Sequence, residues 1–349
     1  MKSILKKITD IINGLAILGL LLCYLAPYVD PLDFWPISFF GLTYVFWLCL
    51  NVSLLFFWLF LGSKRWIYNL IFILIGFSFV GRHLQSNAPS SEKSDIKICS
   101  FNTNVQQVYD EGNTSKEIED YLITNRYDVA VLIEYLDKKG SVSKNAYPHQ
   151  QLVRLNSKRN KFDYGIKLLS KHRIVNWEQI KYDHFTNNLS AYFDIDINGE
   201  TVRFVATHLQ SNGISSRDYH KLVKVEKDDE EYKEYAVNFI MSLKMLIQRR
   251  SNQTNTVLEA IKDSPYPVVI LGDFNDTPTS YTYQQLKEGR KDAFIEKGSG
   301  WGATYLKPFR MLRIDYILHD PELECLSYKC TTATKSDHAL IEASFKLKK

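Results

Sequence analysis

The stretch of sequence that decides the fold is Val268-Val-Ile-Leu-Gly-Asp-Phe-Asn-Asp-Thr-Pro278. Its four consecutive aliphatic residues, followed by a glycine, predict a β-strand. Asp273 and Asn275 come directly after this run. Their side chains could cap a turn ahead of the proline, or they could serve a site at the end of the strand. The segment therefore predicts a sheet protein with polar groups where strands end.

Polar, metal-capable residues end apolar runs at further places in the chain. These segments are Ser100–Asn104, Ile133–Tyr135, Ala206–Leu209, and Arg313–Tyr316 followed by Lys335–His338. Taken alone, Glu134 could be a hydrogen-bonded carboxylate and His208 a structural residue. Asp315 could be the ion-pair partner of Arg313, which shares its face of a strand. The joint occurrence is more specific, because loops at strand ends commonly carry functional residues.

Short runs with high strand propensity recur through the later part of the chain. They are Ile96–Asn102, Val129–Glu134, Gly165–Leu169, Ala191–Ile197, Val202–His208, Val268–Leu271, Arg313–Leu318 and Leu340–Leu347. Helical periodicity is present at Ser115–Leu122 and again from Glu231 onward, where apolar residues are spaced along one helix face. The alternation predicts an α/β protein with a mixed sheet arrangement in one domain over residues 95–349.

The N-terminal part is different, because the first 84 residues hold 6 of the 43 basic and 3 of the 39 acidic residues. Long uncharged runs predict a membrane anchor over residues 1–85, with transmembrane helices at 11–29, 37–61 and 66–81. A linker at 86–94 would follow. Since about 20 helical residues cross the hydrocarbon core, the third segment is short for a full span. Buried helices of a soluble domain and a cleaved signal peptide are the alternatives.

Basic residues predict the orientation of this anchor. Lys2, Lys6 and Lys7 precede the first segment, and Lys64 and Arg65 lie between the second and the third. Because basic residues favour cytoplasmic loops, the N-terminus is predicted to be cytoplasmic. After an odd number of spans, the remaining domain would be extracytoplasmic, on the periplasmic or extracellular face.

Charge and cysteine content narrow the function classes. Beyond Leu84 the chain holds 37 basic and 36 acidic residues, so it lacks the cation excess with which a protein binds a polyanion along its whole surface. A local basic patch is compatible with these totals. Cys99, Cys325 and Cys330 include no Cys-x-x-Cys pair, which favours neither a zinc site nor a disulfide framework.

Taken in order, the motifs resemble the endonuclease/exonuclease/phosphatase superfamily, whose metal-dependent phosphoesterases include DNase I-like nucleases and neutral sphingomyelinases. The similar segments are Phe101-Asn102, Glu134, Tyr164–Ser170, Thr207–Leu209, Gly272–Asn275, Asp315 and Ser336–His338. The resemblance spans about Asp95 to Phe345. It implies a two-sheet α/β sandwich of the DNase I-like, four-layer type, here preceded by a bundle of three transmembrane helices as in a membrane-anchored bacterial member.

The chemistry of phosphodiester hydrolysis explains why such residues are needed. The transition state places additional negative charge on the phosphoryl oxygens, and a divalent cation compensates that charge. Glu134, Asp337 and the amide oxygen of Asn102 form an all-oxygen set that suits Mg²⁺ or Mn²⁺. The lack of a cysteine or clustered histidine set argues against zinc. We therefore predict these three residues as metal ligands.

Water must lose a proton as it attacks, and His338 is the predicted base if Asp315 accepts the other N–H of its ring. His208 is predicted to hydrogen-bond a phosphoryl oxygen or to protonate the leaving group, as the family counterpart implies. Asp273 and Asn275 are predicted to orient the water and to donate a hydrogen bond to the phosphoryl group.

The resemblance determines the reaction class better than the substrate, because one fold serves DNA, RNA, phospholipid and inositol phosphate chemistry. A nuclease is the default prediction. A sphingomyelinase-like lipid phosphodiesterase acting on membrane headgroups is the alternative, and a phosphomonoesterase or a non-enzymatic docking domain is less favoured. The basic and aromatic residues available to a nuclease are Lys158, Arg159, Lys161, Lys307, Arg310, Arg313, Trp301 and Tyr305.

Overall fold

The computed structural model describes residues 2–104, 114–136, 143–155, 164–184, 186–211, 229–307, 312–333 and 336–348. These residues form two compact units. The first, here called the apolar unit, lies within Met1–Phe79, Gln210–Gln253 and Thr279–Gln284. The second, here called the sheet unit, lies within Val80–Leu209, Thr254–Pro278 and Gln285–Lys349.

The helices are α1 (Lys2–Leu25), α2 (Pro31–Phe34), α3 (Ile37–Leu42), α4 (Tyr44–Phe60), α5 (Trp66–Ile75), α6 (Phe77–Gly81), α7 (Thr114–Thr124), α8 (Asp229–Ile261), α9 (Tyr281–Lys287) and α10 (Ala293–Lys297). The strands are β1 (Leu84–Ser86), β2 (Ile96–Asn102), β3 (Val129–Leu136), β4 (His149–Arg154), β5 (Tyr164–Ser170), β6 (Arg173–Ile180), β7 (Leu189–Ile197), β8 (Glu200–His208), β9 (Val268–Asp273), β10 (Lys291–Asp292), β11 (Ser299–Trp301), β12 (Asp315–His319), β13 (Leu323–Thr331) and β14 (Leu340–Leu347).

Two six-stranded sheets form the sheet unit. Neighbouring strands follow the order β10-β12-β9-β8-β7-β6 in the first sheet and β13-β14-β2-β3-β5-β4 in the second. The pairs β8–β9 and β2–β3 are parallel, and the other pairs in these sheets are antiparallel. A small antiparallel pair joins β1 and β11. The predicted α/β class with mixed sheets is confirmed.

The main apolar core draws buried side chains from both six-stranded sheets. Val131 of the second sheet and Phe193 and Leu271 of the first are fully buried members of it. A separate buried cluster combines the second sheet with α7, which contributes Ile118 and Leu122. Strands enclosed in this way read as continuous apolar runs, and for that reason the central strands were predictable from the sequence.

Three longer strands carry no strand prediction, and all three are at sheet edges. β4 and β13 are the two edges of the second sheet, and β6 is one edge of the first. Most residues of β6 are exposed. An edge strand has one hydrogen-bonded neighbour and often carries polar side chains, which weakens the apolar signal. By contrast, the structure reproduces the predicted bounds of β2 and β14.

The apolar unit corrects the prediction of three transmembrane helices. Among the described residues, one helix is long and apolar enough to cross a membrane, over Lys7–Tyr28. The predicted segment 37–61 is interrupted at Thr43, and the predicted segment 66–81 is interrupted at Gly76. The helix α4 has 17 residues, which at about 1.5 Å per residue is shorter than the roughly 30 Å of hydrocarbon.

Polar groups lie inside the apolar unit. Asn13 Oδ1 accepts hydrogen bonds from Trp58 Nε1 over 3.0 Å and from Asn69 Nδ2 over 2.8 Å. Both asparagines are buried, whereas 22 of the 31 exposed large apolar side chains among the described residues lie between Ile8 and Phe77. Such a concentration of exposed apolar surface is unusual for a domain that is surrounded by water.

Candidate active site

The predicted site residues gather where strands of both sheets end. β8 ends at His208 and β9 ends at Asp273, and these two residues are partners in the parallel pairing. β2 of the other sheet ends at Asn102, whose Nδ2 donates to Asp273 Oδ2 over 3.1 Å. Asp273 is 1% exposed. The two sheets therefore bring their strand ends together at one buried carboxylate.

Gly272 is required for this approach of β8 and β9. Its φ is +138°, and a Cβ atom at this position would lie 2.1 Å from the carbonyl oxygen of Thr207. A side chain here would strain the backbone and push the two strands apart. A glycine is therefore needed directly before Asp273, because β8 and β9 could not otherwise pair this closely. The same pairing determines where the carboxylate of Asp273 lies.

Asp315, His338 and Asp273 form a buried cluster, here called the acid–histidine cluster. Asp315 begins β12 and is the antiparallel partner of Asp273 in β9. The Nδ1 atom of His338 lies 2.9 Å from Asp315 Oδ2, and its Nε2 atom lies 3.8 Å from Asp273 Oδ2. The ring is therefore held by one carboxylate and faces a second one across a gap that is longer than a direct hydrogen bond.

Burial and mutual repulsion determine the charge of this cluster. Burial, and then the charge of Asp315, raises the pKa of Asp273 to about 6. Burial opposes a charge on His338, but Asp315 and Asp273 outweigh it and raise the pKa of the ring to about 10. Near neutral pH the proton accordingly stays on His338. The accumulated carboxylates also favour a cation beside them.

Glu134 lies in a bulge of β3. The pairing with β5 shifts register between Leu132 and Tyr135, and the φ of Glu134 is 52°. Positive φ is uncommon for glutamate, and bulges often re-aim a side chain beside a functional site. Here Glu134 Oε1 lies 3.4 Å from His208 Nε2, while 28% of the glutamate side chain remains exposed.

Asp337 is joined to the strand ends through Asn104, which the sequence analysis did not single out. Asn104 Nδ2 donates to Asp337 Oδ1 over 2.6 Å, and its backbone N–H donates to Asn102 Oδ1 over 3.0 Å. The sequence does contain a second asparagine near the end of β2, since Asn104 follows Asn102 by two positions. The sequence alone does not show which of the two asparagines contacts Asp337.

Asn275 makes two hydrogen bonds that stabilise the end of β9. Its backbone N–H donates to Asp273 Oδ1 and its Nδ2 donates to the carbonyl oxygen of Leu209, both over 2.8 Å. The φ of Asn275 is 53°, in the left-handed region that asparagine tolerates. One N–H of its side-chain amide is therefore used on the segment that follows β8.

Two sequence interpretations of Arg313 are wrong. Its Nη1 atom donates to Asp292 Oδ2 over 2.8 Å, and its side chain is 2% exposed. Arg313 therefore cannot border a substrate cleft, and the carboxylate of Asp315 is held by His338 instead. Lys307 is exposed. The remaining basic candidates lie outside the described residues: Lys158, Arg159, Lys161 and Arg310.

The two candidate stacking residues have different surroundings. Tyr305 packs edge-on against His338, with 5.1 Å between ring centroids. Trp301 stacks on His83 at 5.7 Å and is 40% exposed. Tyr305 thus contributes to the wall of the acid–histidine cluster, whereas Trp301 belongs to the small β1–β11 pair.

All eight predicted residues are linked through hydrogen bonds, ion pairs or strand pairing around Asp273. The sequence profile of the endonuclease/exonuclease/phosphatase family matches residues 99–338, a range that contains all of them. The chain belongs to this family. It is accordingly a metal-dependent hydrolase of phosphoric ester bonds. Residues 6–83 match a domain of unknown function (DUF8431), and no curated protein matches the sequence.

Solved structures share the fold at low sequence identity. The human nocturnin catalytic domain with bound sulfate is 15% identical, with a TM-score of 0.52 over 72% of this chain and 94% of that one. A family protein from Beutenbergia cavernae is 18% identical, with a TM-score of 0.53 over 73% and 72%. One from Leptotrichia buccalis is 16% identical, with a TM-score of 0.51 over 72% and 100%. These likenesses support the sandwich fold of this endonuclease/exonuclease/phosphatase family member.

The donor set of this family member fits a divalent cation. The partly exposed carboxylate of Glu134 and the carboxylate of Asp337 supply oxygen atoms, and the amide oxygen of Asn102 keeps one lone pair beyond its bond to Asn104. In addition, the pKa of Asp273 is raised to about 6, by burial and by Asp315, which reflects negative charge that a cation would neutralise. Hard oxygen ligands of this kind suit a divalent metal of the magnesium type.

Proposed function

We propose that this chain is a membrane-anchored phosphodiesterase that hydrolyses its substrate by attack of water, assisted by Mg²⁺ or Mn²⁺. The observation that carries the proposal is the buried line of Asp315, His338 and Asp273, to which Asn102 of the other sheet donates a hydrogen bond through its Nδ2 atom. Such a line supplies a proton acceptor next to groups that can hold a cation, and phosphoryl transfer to water needs both.

In this proposal Asn102, Glu134 and Asp337 hold the cation. Asp337 reaches the site through Asn104, and Glu134 reaches it through the bulge in β3. When bound, the cation neutralises charge that develops on the phosphoryl oxygens. Oxygen ligands favour Mg²⁺ or Mn²⁺, because zinc sites usually include cysteine or several histidines.

His338 is the proposed general base. Asp315 accepts the Nδ1–H of its ring, which leaves Nε2 to face the reacting water. The 3.8 Å between Nε2 and Asp273 Oδ2 leaves room for a water that hydrogen-bonds to both atoms from one side. The raised pKa of His338 must fall for the ring to accept a proton, and the charge of a nearby cation acts in that direction.

His208 and Asn275 are proposed to contact the phosphoryl group. Glu134 Oε1 lies 3.4 Å from His208 Nε2, and a protonated His208 ring can donate to a phosphoryl oxygen or protonate the leaving group. Asn275 uses one side-chain N–H on Leu209, and the other remains for the substrate. Asp273 would orient the water from the opposite side to His338.

Two substrate classes remain candidates. A nuclease is the default, because the family resemblance favours that branch, although the burial of Arg313 removes one of the cations on which it depended. A lipid phosphodiesterase acting on headgroups is favoured by the exposed apolar side chains between Ile8 and Phe77, which would keep the enzyme at a bilayer.

A parallel assay distinguishes the two classes. The purified full chain with Mg²⁺ is offered plasmid DNA and labelled phospholipid vesicles at several salt concentrations. A nuclease with roughly four phosphate contacts should lose about a hundredfold in affinity between about 50 and about 200 mM salt, whereas a headgroup hydrolase should change little. Hydrolysis of neither substrate, nor of an activated phosphodiester such as bis(p-nitrophenyl) phosphate, would contradict the proposed function.

We also propose that the N-terminus lies in the cytoplasm and the sheet unit outside it. The candidate membrane span runs from Lys7 to Tyr28, and basic residues favour the cytoplasmic side of a span. A single crossing leads to the same side as the three crossings predicted from the sequence. A bilayer is thus the proposed partner of the apolar unit.

The orientation predicts the behaviour of a reporter that is active only in the cytoplasm. Fused after Lys349, it should stay inactive, and fused before Lys2, it should be active. Activity of the C-terminal fusion, at an expression level equal to that of the N-terminal one, would show that the sheet unit is cytoplasmic.

A further inference from the structure

The long helix α8 exposes an apolar face in the part that belongs to the apolar unit. Val237, Ile240, Met241 and Met245 are 58%, 46%, 55% and 44% exposed. Their spacing of three, four and eight positions from Val237 places them on one side of the helix. Leu243, which points elsewhere on the helix, is buried. These four apolar side chains are therefore exposed because they share one face of the helix, while another face is buried.

The apolar face of α8 adds to a larger exposed apolar surface on the apolar unit. Of the exposed large apolar side chains among the described residues, 22 lie between Ile8 and Phe77, and four of the remaining nine lie on α8. The apolar surface of the described chain is thus concentrated in the compact unit that contains both segments. A surface of this size and composition is typical of contact with lipid or with another apolar partner.

Hydrogen bonds attach α8 to the end of the helix that can cross a membrane. Ser251 Oγ donates to Asp30 Oδ1 over 2.7 Å, and Gln248 Nε2 donates to the carbonyl oxygen of Pro31 over 3.3 Å. Asp30 follows Tyr28, the last residue of the apolar helix, by two positions. In a spanning helix, that position lies where the chain leaves the hydrocarbon and enters the headgroup layer.

Charged residues of both signs flank the apolar face of α8. Lys233 is exposed and Lys244 half-buried on the same side as the face, Glu234 is exposed there as well, and the helix begins with three acidic residues, Asp229, Glu230 and Glu231. Long lysine side chains can lay their aliphatic stems along apolar surface while their amines reach phosphate groups. A helix with an apolar stripe and flanking lysines is typical of segments that lie in the plane of a membrane interface.

We propose that the face formed by Val237, Ile240, Met241 and Met245 lies in the headgroup layer of a bilayer. The proposal rests on the membrane association stated under the proposed function. Within the apolar unit, Gln210 is held on α8, because its carbonyl oxygen accepts from Arg250 Nη1 and its backbone N–H donates to Gln253 Oε1. Contact of the chain with lipid favours a phosphodiester that is carried at a lipid surface as the substrate.

The test places an environment-sensitive fluorophore on the full chain, reconstituted into vesicles of phosphatidylcholine and phosphatidylglycerol. Met241→Cys carries the label on the proposed face, and Ser242→Cys carries it on an exposed position about 100° away on the same helix. Cys49 and Cys330 are first replaced by serine, since the other cysteines are buried. Brominated lipid should quench the label at position 241 about threefold more than that at 242, and aqueous iodide should show the reverse order.

Flotation of the same vesicles separates the two hypotheses. If the chain floats with lipid but iodide quenches position 241 as strongly as 242, the inference on α8 is wrong and the anchor stands. If neither quencher reaches position 241, protein covers the face, and the inference is again wrong. If the chain does not float, both fail. In the supporting case, Met241→Glu should lower the rate on vesicle-borne phospholipid several-fold more than Ser242→Glu, with equal rates on a soluble phosphodiester.

Discussion

Asp273→Asn is expected to lower turnover by at least about a thousandfold, the scale of loss when a reacting group loses its proton acceptor or a preorganised charge. Asp273 accepts from Asn102 Nδ2 and from the backbone N–H of Asn275, and its Oδ2 faces His338 Nε2. An asparagine has one acceptor oxygen, so its amide would oppose one of these donors. The charge that orients the water would also be lost. Turnover of bis(p-nitrophenyl) phosphate at saturating Mg²⁺ measures the effect.

A matched control is Asp194→Asn, which removes a different buried carboxylate of the sheet unit. Asp194 accepts from Arg203 Nε over 2.7 Å and from Nη2 over 2.9 Å. Arg203 is roughly 17 Å along β8 from His208, at about 3.3 Å per residue. This variant should lose stability, by about 3 kcal/mol or more for a broken buried pair, and keep its turnover per folded molecule. Asp273→Asn with wild-type turnover would remove Asp273 from the mechanism.

Glu134→Gln is expected to raise the Mg²⁺ concentration for half-maximal activity by about a hundredfold or more, since second-shell changes alone cost ten- to a hundredfold in metal affinity. The substitution keeps the shape of the side chain and removes the charge that would hold the cation. The carboxylate is partly exposed and lies in a bulge with positive φ, which indicates that the backbone is held there for a site. Activity titrated with Mg²⁺ and with Mn²⁺, after treatment with a chelator, is the measurement.

Glu178→Gln is the control for this titration. Glu178 Oε2 accepts from the hydroxyl of Tyr192 over 2.9 Å on the exposed edge strand β6. It should leave the metal requirement unchanged. At saturating metal, Glu134→Gln should recover part of its activity, whereas Asp273→Asn should not. An unchanged metal requirement in Glu134→Gln would show that Glu134 is not a ligand.

Most of the sheet unit could be predicted from local pattern. Buried central strands such as β2, β9 and β14 consist of apolar runs with clear ends, because both of their faces meet other elements. The edge strands β4, β6 and β13 were missed, since one open side permits polar residues. In the apolar unit, composition indicated hydrophobic helices correctly but not their interruptions at Thr43 and Gly76.

The candidate site was predictable as a set of residue types at strand ends, but not as a geometry. The bulge at Glu134 leaves no mark in the sequence, because the residues around it continue an apolar run. The sequence motifs favour Asn102 and do not indicate that Asn104 contacts Asp337. The sequence predicts Arg313 as a substrate-binding cation, whereas its ion pair with Asp292 is buried. In each case the decisive contact is with a residue or strand that is distant in the sequence.

By itself, the sequence determined where apolar runs stop, which residue types stand at those stops, and that a charge-poor segment precedes the sheet unit. Those properties are local, since side-chain period and run length are set by neighbours along the chain. Only the tertiary structure decided that Asn102 meets Asp273, 171 positions away, and that Asn104 meets Asp337, 233 positions away. Contacts of that kind depend on how two sheets adjoin, and the packing of many side chains at once sets that geometry.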